Sequence, residues 1–229
     1  MFLFIVKLNE LEAWSTDIAS AYLEAHTDEK VCIRAGPEFG PCQGHLLIID
    51  RALYGLRSSG ARWHDRLADV LRTEGFNPCH AEPDIWMRRN GEIYEYIAVY
   101  VDDLAFAMKD PAAFVHILKS RHKFKIKEAG PLTFHLGADF YRDTDGILCM
   151  APQKYIERLT QSYEQMFGKK PSLKVHSPLE KGDHPELDES ELLDREGIEQ
   201  YQSLLGSLQW AISLGRFDIA TAVMSMSSF

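Results

Sequence analysis

The stretch YVDDLAFA, from Tyr100 to Ala107, places two adjacent carboxylates, Asp102 and Asp103, between two apolar runs. The flanking segments are rich in aliphatic and aromatic residues, which favour β-strands. Aspartate is common in tight turns because its side chain bonds nearby backbone groups. The stretch therefore predicts a hairpin that turns near residues 101–103. It leaves open whether the two carboxylates are turn formers or metal ligands.

A third carboxylate, Asp17, follows an apolar strand in LEAWSTDIASAYL. From Leu11 onward the predicted order is strand, crossover, helix, hairpin, helix and strand. This order is typical of a βαββαβ, ferredoxin-like sheet with helices on one face, an α+β fold. Such a sheet brings Asp17 close to Asp102, and carboxylates on one edge repel each other unless a cation lies between them. Without the other motifs, Asp17 alone favours a helix cap.

Local signals place the helices. SSGARWHDRLADVLRTEG predicts a helix that Ser58 or Ser59 caps and that Gly75 ends. Its apolar stripe consists of Trp63, Leu67, Val70 and Leu71. Asp110 and Pro111 predict the start of a second helix, with Phe114, Ile117 and Leu118 facing inward.

The second half of the chain begins with HKFKIK, which predicts a strand with the lysines 123, 125 and 127 on one face. Two strands joined at TDG and a helix from Pro152 to Gly168 follow. Residues 176–194 are polar and acidic, as in a surface linker, and 198–229 are again helical.

Composition excludes several classes of protein. The chain has 229 residues, is 45% apolar and carries a formal charge of −9, which argues against a simple basic nucleic-acid binder. No two cysteines have C-x-x-C spacing, DTDG does not fit a calcium-binding loop, and no P-loop motif occurs. No apolar run is long enough for a membrane span, and the apolar start MFLFIVKL is a poor signal peptide that predicts a core helix or strand.

Five segments occur in the order found in one family. They are TDIASAYLEA, ALYGLRSSGARWHDRL, YVDD, FHLGADF and YQSLLGSLQWAISLGRFDIATAV. Together they resemble the reverse transcriptase region of Ty1/copia-type retrotransposon polyproteins. Each motif is weak alone, but the five in this order make a strong match over essentially the whole chain.

The resemblance implies a right-hand polymerase and an RNA-directed DNA polymerase activity. It implies a palm with partial fingers at 1–129, a primer-grip hairpin and thumb-like helix at 130–176, and a linker with a helical connecting segment at 177–229. The implied partners are a primed RNA or DNA template, deoxynucleoside triphosphates, and a parent polyprotein with RNase H and integrase domains. The implied location is intracellular, in the cytoplasm or a virus-like particle, without a membrane.

The family pattern also implies residue roles. Asp17, Asp102 and Asp103 match its catalytic aspartates, which bind two Mg²⁺ ions, with Mn²⁺ as a substitute; the Ile18 carbonyl would add a ligand. The nucleotide-contacting residues would be Ser20, Ala21, Tyr22, Tyr54, Gly55, Arg57 and Lys127, with Tyr22 as the steric gate against ribonucleotides. The primer grip would be Phe134, His135, Leu136 and Gly137.

Each role has a plain structural alternative. Tyr22 fits a core aromatic, Lys127 fits a solvated strand face better than a substrate contact, and the primer-grip residues fit a hairpin core. Gly60 stands where the family usually has proline. Lys7 is the sole basic residue before Asp17, so the basic fingers residues of the family are expected to be missing, as is the RNase H domain that follows its connecting segment. The polymerase is therefore expected to be incomplete as given. A non-catalytic remnant is therefore the alternative function. A palm-fold nucleotide cyclase is a third candidate, but the hairpin motif of that class does not occur in this sequence.

Overall fold

The computed structural model describes residues 2–172, 174–175, 177–179, 189 and 191–228. The chain divides into two units, Met1–Leu132 and Thr133–Phe229. The predicted linker at 176–194 falls mostly outside the described residues, and the three-part domain assignment stays a prediction. Within the described part, every helix is too short or too polar to cross a lipid bilayer.

The described part of unit 1 contains three α-helices and eight strands, besides two short 3-10 helices. The helices are α1 (Phe2–Leu8), α2 (Ser59–Thr73) and α3 (Pro111–Ser120). The strands are β1 (Glu12–Ile18), β2 (Cys32–Arg34), β3 (Leu46–Ile48), β4 (Asn77–Pro78), β5 (Ile85–Asn90), β6 (Ile93–Tyr100), β7 (Asp103–Met108) and β8 (Ile126–Pro131).

The main sheet has the strand order β4-β5-β6-β7-β1-β8, and all of its pairs are antiparallel. The predicted α+β class is confirmed in its coarse form, as antiparallel sheets with helices, and the palm topology stays a prediction. The two strands β4 and β5 extend the sheet beyond the four that the sequence pattern predicted. Strands β2 and β3 form a separate ribbon.

The sheet buries side chains on both faces, because successive residues of a strand point to opposite sides. Leu104, Phe106 and Met108 of β7 pack with α2 and α3 in the larger core cluster. Ala107 packs instead with Val6 of α1 in a smaller cluster. Helices on a single face were therefore predicted too simply, since the apolar N-terminal segment forms a helix that covers part of the opposite face.

Most local predictions for unit 1 are confirmed. The stripe of α2 is buried at Trp63, Leu67, Val70 and Leu71. The Asp110 side chain accepts a hydrogen bond from the Ala113 amide and so caps α3. These signals act within one or two turns of helix, so distant residues have little influence on them.

Two local predictions hold only in part. Ser58 is the N-cap residue of α2, but its side chain makes no cap hydrogen bond, and the Ser59 hydroxyl donates to the Leu53 carbonyl at 2.6 Å. The lysine-rich strand begins only at Ile126, because its backbone pairs with β1 from the Ile18–Ile126 position onward. Tertiary partners decided both outcomes.

Unit 2 contains a three-stranded sheet and helices. Its described elements are β9 (Phe134–His135), β10 (Ala138–Arg142), β11 (Leu148–Ala151), α4 (Gln153–Phe167), α5 (Arg195–Ser213) and α6 (Ala220–Met226). The strands β10 and β11 flank TDG as predicted, with β9 as an addition. Gly168 ends α4 with φ 65°, and the predicted C-terminal helix is broken between α5 and α6.

Candidate active site

Two of the three predicted catalytic carboxylates lie side by side in the main sheet. Asp17, near the end of β1, is in register with Asp103, the first residue of β7. Asp103 is also in register with Tyr100 across the hairpin of β6 and β7. Asp102 lies in the turn between these strands, so the three aspartates meet at one end of the β1–β7 pair.

The hairpin turn is held from two sides. The Ile18 amide donates to the Asp102 carbonyl at 3.0 Å, and the Trp63 indole donates to the Val101 carbonyl at 2.7 Å. Val101 has φ 56°, a left-handed conformation that a β-branched residue adopts at a cost. Trp63 thus positions the turn, a role that its place in an apolar stripe did not predict.

The three carboxylates are electrostatically coupled. Burial raises the pKa of the Asp103 carboxyl, and the negative charges of Asp102 and Asp17 raise it further. The ammonium of Lys127 opposes this effect only in part. The pKa of Asp103 therefore lies above its ordinary range, so this end of the sheet carries negative charge that the surrounding side chains do not fully balance.

Lys127 contacts the candidate site directly, although the sequence pattern favoured an ordinary solvated strand face for this residue. Its Nζ lies 2.9 Å from Asp17 Oδ2 and 3.2 Å from Oδ1. The hydrogen bond with Asp17 is the main cause that raises the pKa of Lys127, and the charges of Asp17 and Asp102 add to it. The two residues are 110 positions apart in sequence.

The donor set suits Mg²⁺ in its chemistry, because carboxylate oxygens are hard ligands and their mutual repulsion favours a cation. The side chains are not gathered into a finished site, however. Among the residues that the structure describes, no three His, Cys, Asp or Glu side chains are arranged to hold a metal ion. Both oxygens of Asp17 instead contact Lys127.

The predicted nucleotide-contacting residues of the first motif follow β1. Ser20 has φ 53° and precedes a 3-10 turn at Ala21–Glu24. Within the described residues, neither the Ser20 nor the Ala21 amide has a hydrogen-bond acceptor. Tyr22 packs against the core, and its ring lies 4.5 Å from the Tyr54 ring, centroid to centroid.

The second motif adds an exposed segment. Tyr54 is 65% exposed, Gly55 has φ 98°, and Arg57 is exposed. Gly60 lies in the first turn of α2, where an added Cβ would be 3.9 Å from the Tyr22 hydroxyl. That distance is an ordinary contact, so the glycine is not required by lack of space.

The four primer-grip residues form a hairpin within unit 2. Phe134 and His135 make up β9, and the two-residue loop to β10 has positive φ at both Leu136 and Gly137, as a type I′ turn requires. A Cβ on Gly137 would lie 3.3 Å from Leu214 Cδ1. Burial lowers the pKa of His135. These contacts describe a packed hairpin.

Unit 1 also contains a cavity of about 670 Å³ whose lining is mostly charged, and no sequence motif predicted it. The lining residues are Glu24, Ala25, His26, Arg51, Arg62, Asp65, Arg66, Asp69, Arg121, His122 and Lys123. They come from separate segments of the sequence, so a linear motif cannot predict the cavity.

Comparison with known families assigns the chain to a class of protein. Residues 2–173 match the model of the reverse transcriptase (RNA-dependent DNA polymerase) family. This match covers more than half of the chain, and the chain belongs to that family. The resemblance predicted from the five ordered motifs is confirmed.

The relatives are retrotransposon proteins. The chain is 26% identical to the putative transposon Ty5-1 protein of Saccharomyces cerevisiae over 93% of this chain and 68% of that protein. It is 27% identical to the Pol polyprotein from transposon TNT 1-94 of Nicotiana tabacum, over 96% of this chain and 17% of the polyprotein. The Pol polyprotein from transposon RE1 of Arabidopsis thaliana is 26% identical over 93% of this chain and 14% of the polyprotein. The chain thus spans only a small part of the polyproteins that it matches.

Proposed function

We propose that this chain carries the polymerase active site of a copia-type reverse transcriptase and adds deoxynucleotides to a primer on an RNA template. The observation that carries this proposal is the pairing of Asp17 with Asp103 beside the Asp102 turn. In the proposal, the main sheet of unit 1 is the polymerase palm. Unit 2 supplies the primer grip and a thumb-like helical part.

Asp17 and Asp102 would hold two Mg²⁺ ions, or Mn²⁺ in their place, and Asp103 would support them. The Ile18 carbonyl is the proposed backbone ligand. The Ile18 amide donates to the Asp102 carbonyl, and this hydrogen bond places Ile18 beside the turn. Bound metal would supply activation of the primer 3′-hydroxyl and charge stabilisation of the triphosphate. The raised pKa of Asp103 supports this assignment: burial is its main cause, and an added cation would offset the part that the charges of Asp102 and Asp17 contribute.

The chain's own residues would orient the nucleotide. The Ser20 and Ala21 amides would donate to triphosphate oxygens, while Arg57 would contact the nucleotide or the template. Tyr22 would block a ribose 2′-hydroxyl with its ring, which the Tyr54 ring contacts at a tilt of 35°. Replacement of Tyr22 by alanine should therefore admit ribonucleotides without removing a metal ligand.

The partners of the proposal are a primed template, deoxynucleoside triphosphates, and a parent polyprotein with RNase H and integrase domains. Phe134, His135, Leu136 and Gly137 would contact the primer as a rigid hairpin. An intracellular location remains a prediction.

Primer extension tests the proposal. This chain, and the same chain extended through its flanking reading frame, would be assayed on a primed RNA template with Mg²⁺. We expect Asp102→Asn to lower the rate by about a hundredfold or more, in line with the loss of a group that stabilises developing charge. Asp145→Asn, an exposed substitution in the β10–β11 turn, is the matched control. Equal rates for the two variants would refute the assignment of Asp102.

One observation favours the alternative of a non-catalytic remnant that binds metal or nucleic acid weakly. Asp17 is held by Lys127, and no finished metal site is present in the described part of the chain. The two functions differ in their metal response. A catalytic site predicts Mn²⁺ binding that Asp17→Asn and Asp102→Asn each abolish, whereas a remnant predicts binding that neither substitution changes.

A further inference from the structure

Lys127 occupies the position of a counter-ion at the candidate active site. It comes from β8, the neighbour of β1 at the edge of the main sheet. Its ammonium contacts both carboxylate oxygens of Asp17, at 2.9 and 3.2 Å. A cation that binds Asp17 through either oxygen must therefore compete with a ligand that is already in contact with both.

The neighbouring lysines make the contact of Lys127 specific. Lys125 is also exposed, and its carbonyl accepts a hydrogen bond from the Ala19 amide. In the described part of the chain, the Lys125 side chain forms no ion pair with Asp17. Two lysines of equal charge thus lie two positions apart, and only one of them contacts the carboxylate.

The pair is accessible to solvent, which makes exchange possible. The side chain of Lys127 is 55% exposed and that of Asp17 is 36% exposed. Ion pairs at this level of exposure are weak, because water competes for both partners and the long side chain loses freedom when it is held. A divalent cation with several carboxylate ligands can displace such a partner.

We propose that Lys127 is a built-in counter-ion of Asp17, and that a divalent cation binds at Asp17 only by displacing the Lys127 ammonium. This inference rests on the proposed function, because it takes Asp17 as a metal ligand. The two contacts exclude each other at the same oxygens, so the ion pair weakens the apparent affinity of the cation in proportion to the fraction of molecules in which Asp17 is free of Lys127. Lys127 therefore sets the cation concentration at which the site fills.

Metal affinity tests the exchange without any assay of activity. Free Mn²⁺ would be measured by electron paramagnetic resonance in titrations of the unaltered chain, Lys127→Met and Lys125→Met. We expect Lys127→Met to bind Mn²⁺ about two- to fivefold more tightly, which corresponds to the strength of an exposed ion pair. Lys125→Met removes the same charge and should change the affinity less.

The outcomes separate the two proposals. An equal gain in both variants would show a general charge effect and overturn the exchange, as would no gain in either. Mn²⁺ binding that survives Asp17→Asn and Asp102→Asn would overturn the metal site and the exchange together. Binding that these substitutions abolish, but that Lys127→Met leaves unchanged, would overturn the exchange alone.

A second measurement uses the unaltered chain. Lysine ammonium signals can be observed by ¹⁵N NMR, and the signal that Lys127→Met removes belongs to Lys127. Its hydrogen bond to Asp17 should slow proton exchange in the absence of Mg²⁺, and saturating Mg²⁺ should abolish that protection. A Lys127 signal that stays protected at saturation would overturn the exchange even if Asp17→Asn or Asp102→Asn fails to fold.

Discussion

Two carboxylates of unit 1, those of Glu95 and Asp103, have opposite surroundings. Glu95, in β6, is 2% exposed and receives hydrogen bonds from Arg88 at 2.9 Å, Asn90 at 3.0 Å and the Lys109 amide at 3.1 Å. Asp103, at the start of β7, lies beside Asp102 and Asp17 instead. One carboxylate is surrounded by donors, and the other lies beside two further carboxylates.

The pKa directions follow from these surroundings. Burial alone raises the pKa of Glu95, but the Lys109 amide, Asn90 and Arg88 together lower it below its ordinary value. Burial also raises the pKa of Asp103, and there the neighbouring aspartates raise it further. Burial raises the pKa of both carboxyls, so the opposite net directions come from the hydrogen-bond donors around Glu95 and the neighbouring carboxylates around Asp103.

The largest effect is expected from breaking the complete network. Glu95→Ala should lower the free energy of unfolding by about 3 kcal/mol, because it leaves Arg88 Nε and the Lys109 amide without their acceptor. Urea unfolding measures this loss. The exposed Glu92→Ala is the control and should change stability by less than about 0.5 kcal/mol. Equal losses would show that the Glu95 network is not the reason.

A smaller effect is expected from filling the incomplete site. Mg²⁺ at ten times its dissociation constant should stabilise the fold by about 1.4 kcal/mol, which raises Tm by about 3–6 °C for a chain of this size. The double variant Asp102→Asn, Asp103→Asn should melt higher than the unaltered chain in EDTA and gain less from Mg²⁺. A full metal response in the double variant would contradict the comparison.

The strain in the turn should be measurable as well. Val101 has φ 56°, a conformation that glycine adopts without penalty, so Val101→Gly should stabilise the fold by about 0.5–1 kcal/mol. Val99→Gly, at an extended position of β6, should destabilise it. Thermal unfolding of both variants gives the answer, and destabilisation by Val101→Gly would mean that the valine side chain contributes more than the strain costs.

The smallest effect is a difference in pH dependence. The pKa of Glu95 is lower in the folded state, so its stabilisation is present above its ordinary value of 4.5 and is lost as the pH falls through the folded value. The pKa of Asp103 is higher in the folded state, so its charge costs stability at neutral pH. That cost disappears as the pH falls through the folded value toward the ordinary 3.8.

The two pH dependences are tested by measuring Tm as a function of pH for Glu95→Gln, Asp103→Asn and the unaltered chain. Glu95→Gln should lose its disadvantage in acid, whereas Asp103→Asn should lose its advantage there. Parallel curves for the two variants would remove the distinction between the two carboxylates.

The sequence by itself determined the family and the local elements. The five ordered motifs sufficed for the reverse transcriptase family, which the family model confirms over residues 2–173. The apolar stripe of α2, the Asp110 cap of α3 and the turn between β6 and β7 were all predictable. Each of these features depends on side chains within a few positions of each other, so a linear pattern contains the cause.

Only the tertiary structure decided which distant side chains meet. Lys127 contacts Asp17 across 110 positions because β8 and β1 are neighbours in the sheet. Glu95 is buried among donors from β5 and from the end of β7, and no motif marks it. Whether a carboxylate is neutralised or left with excess charge depends on strand order and register, and these arise from the packing of the whole unit.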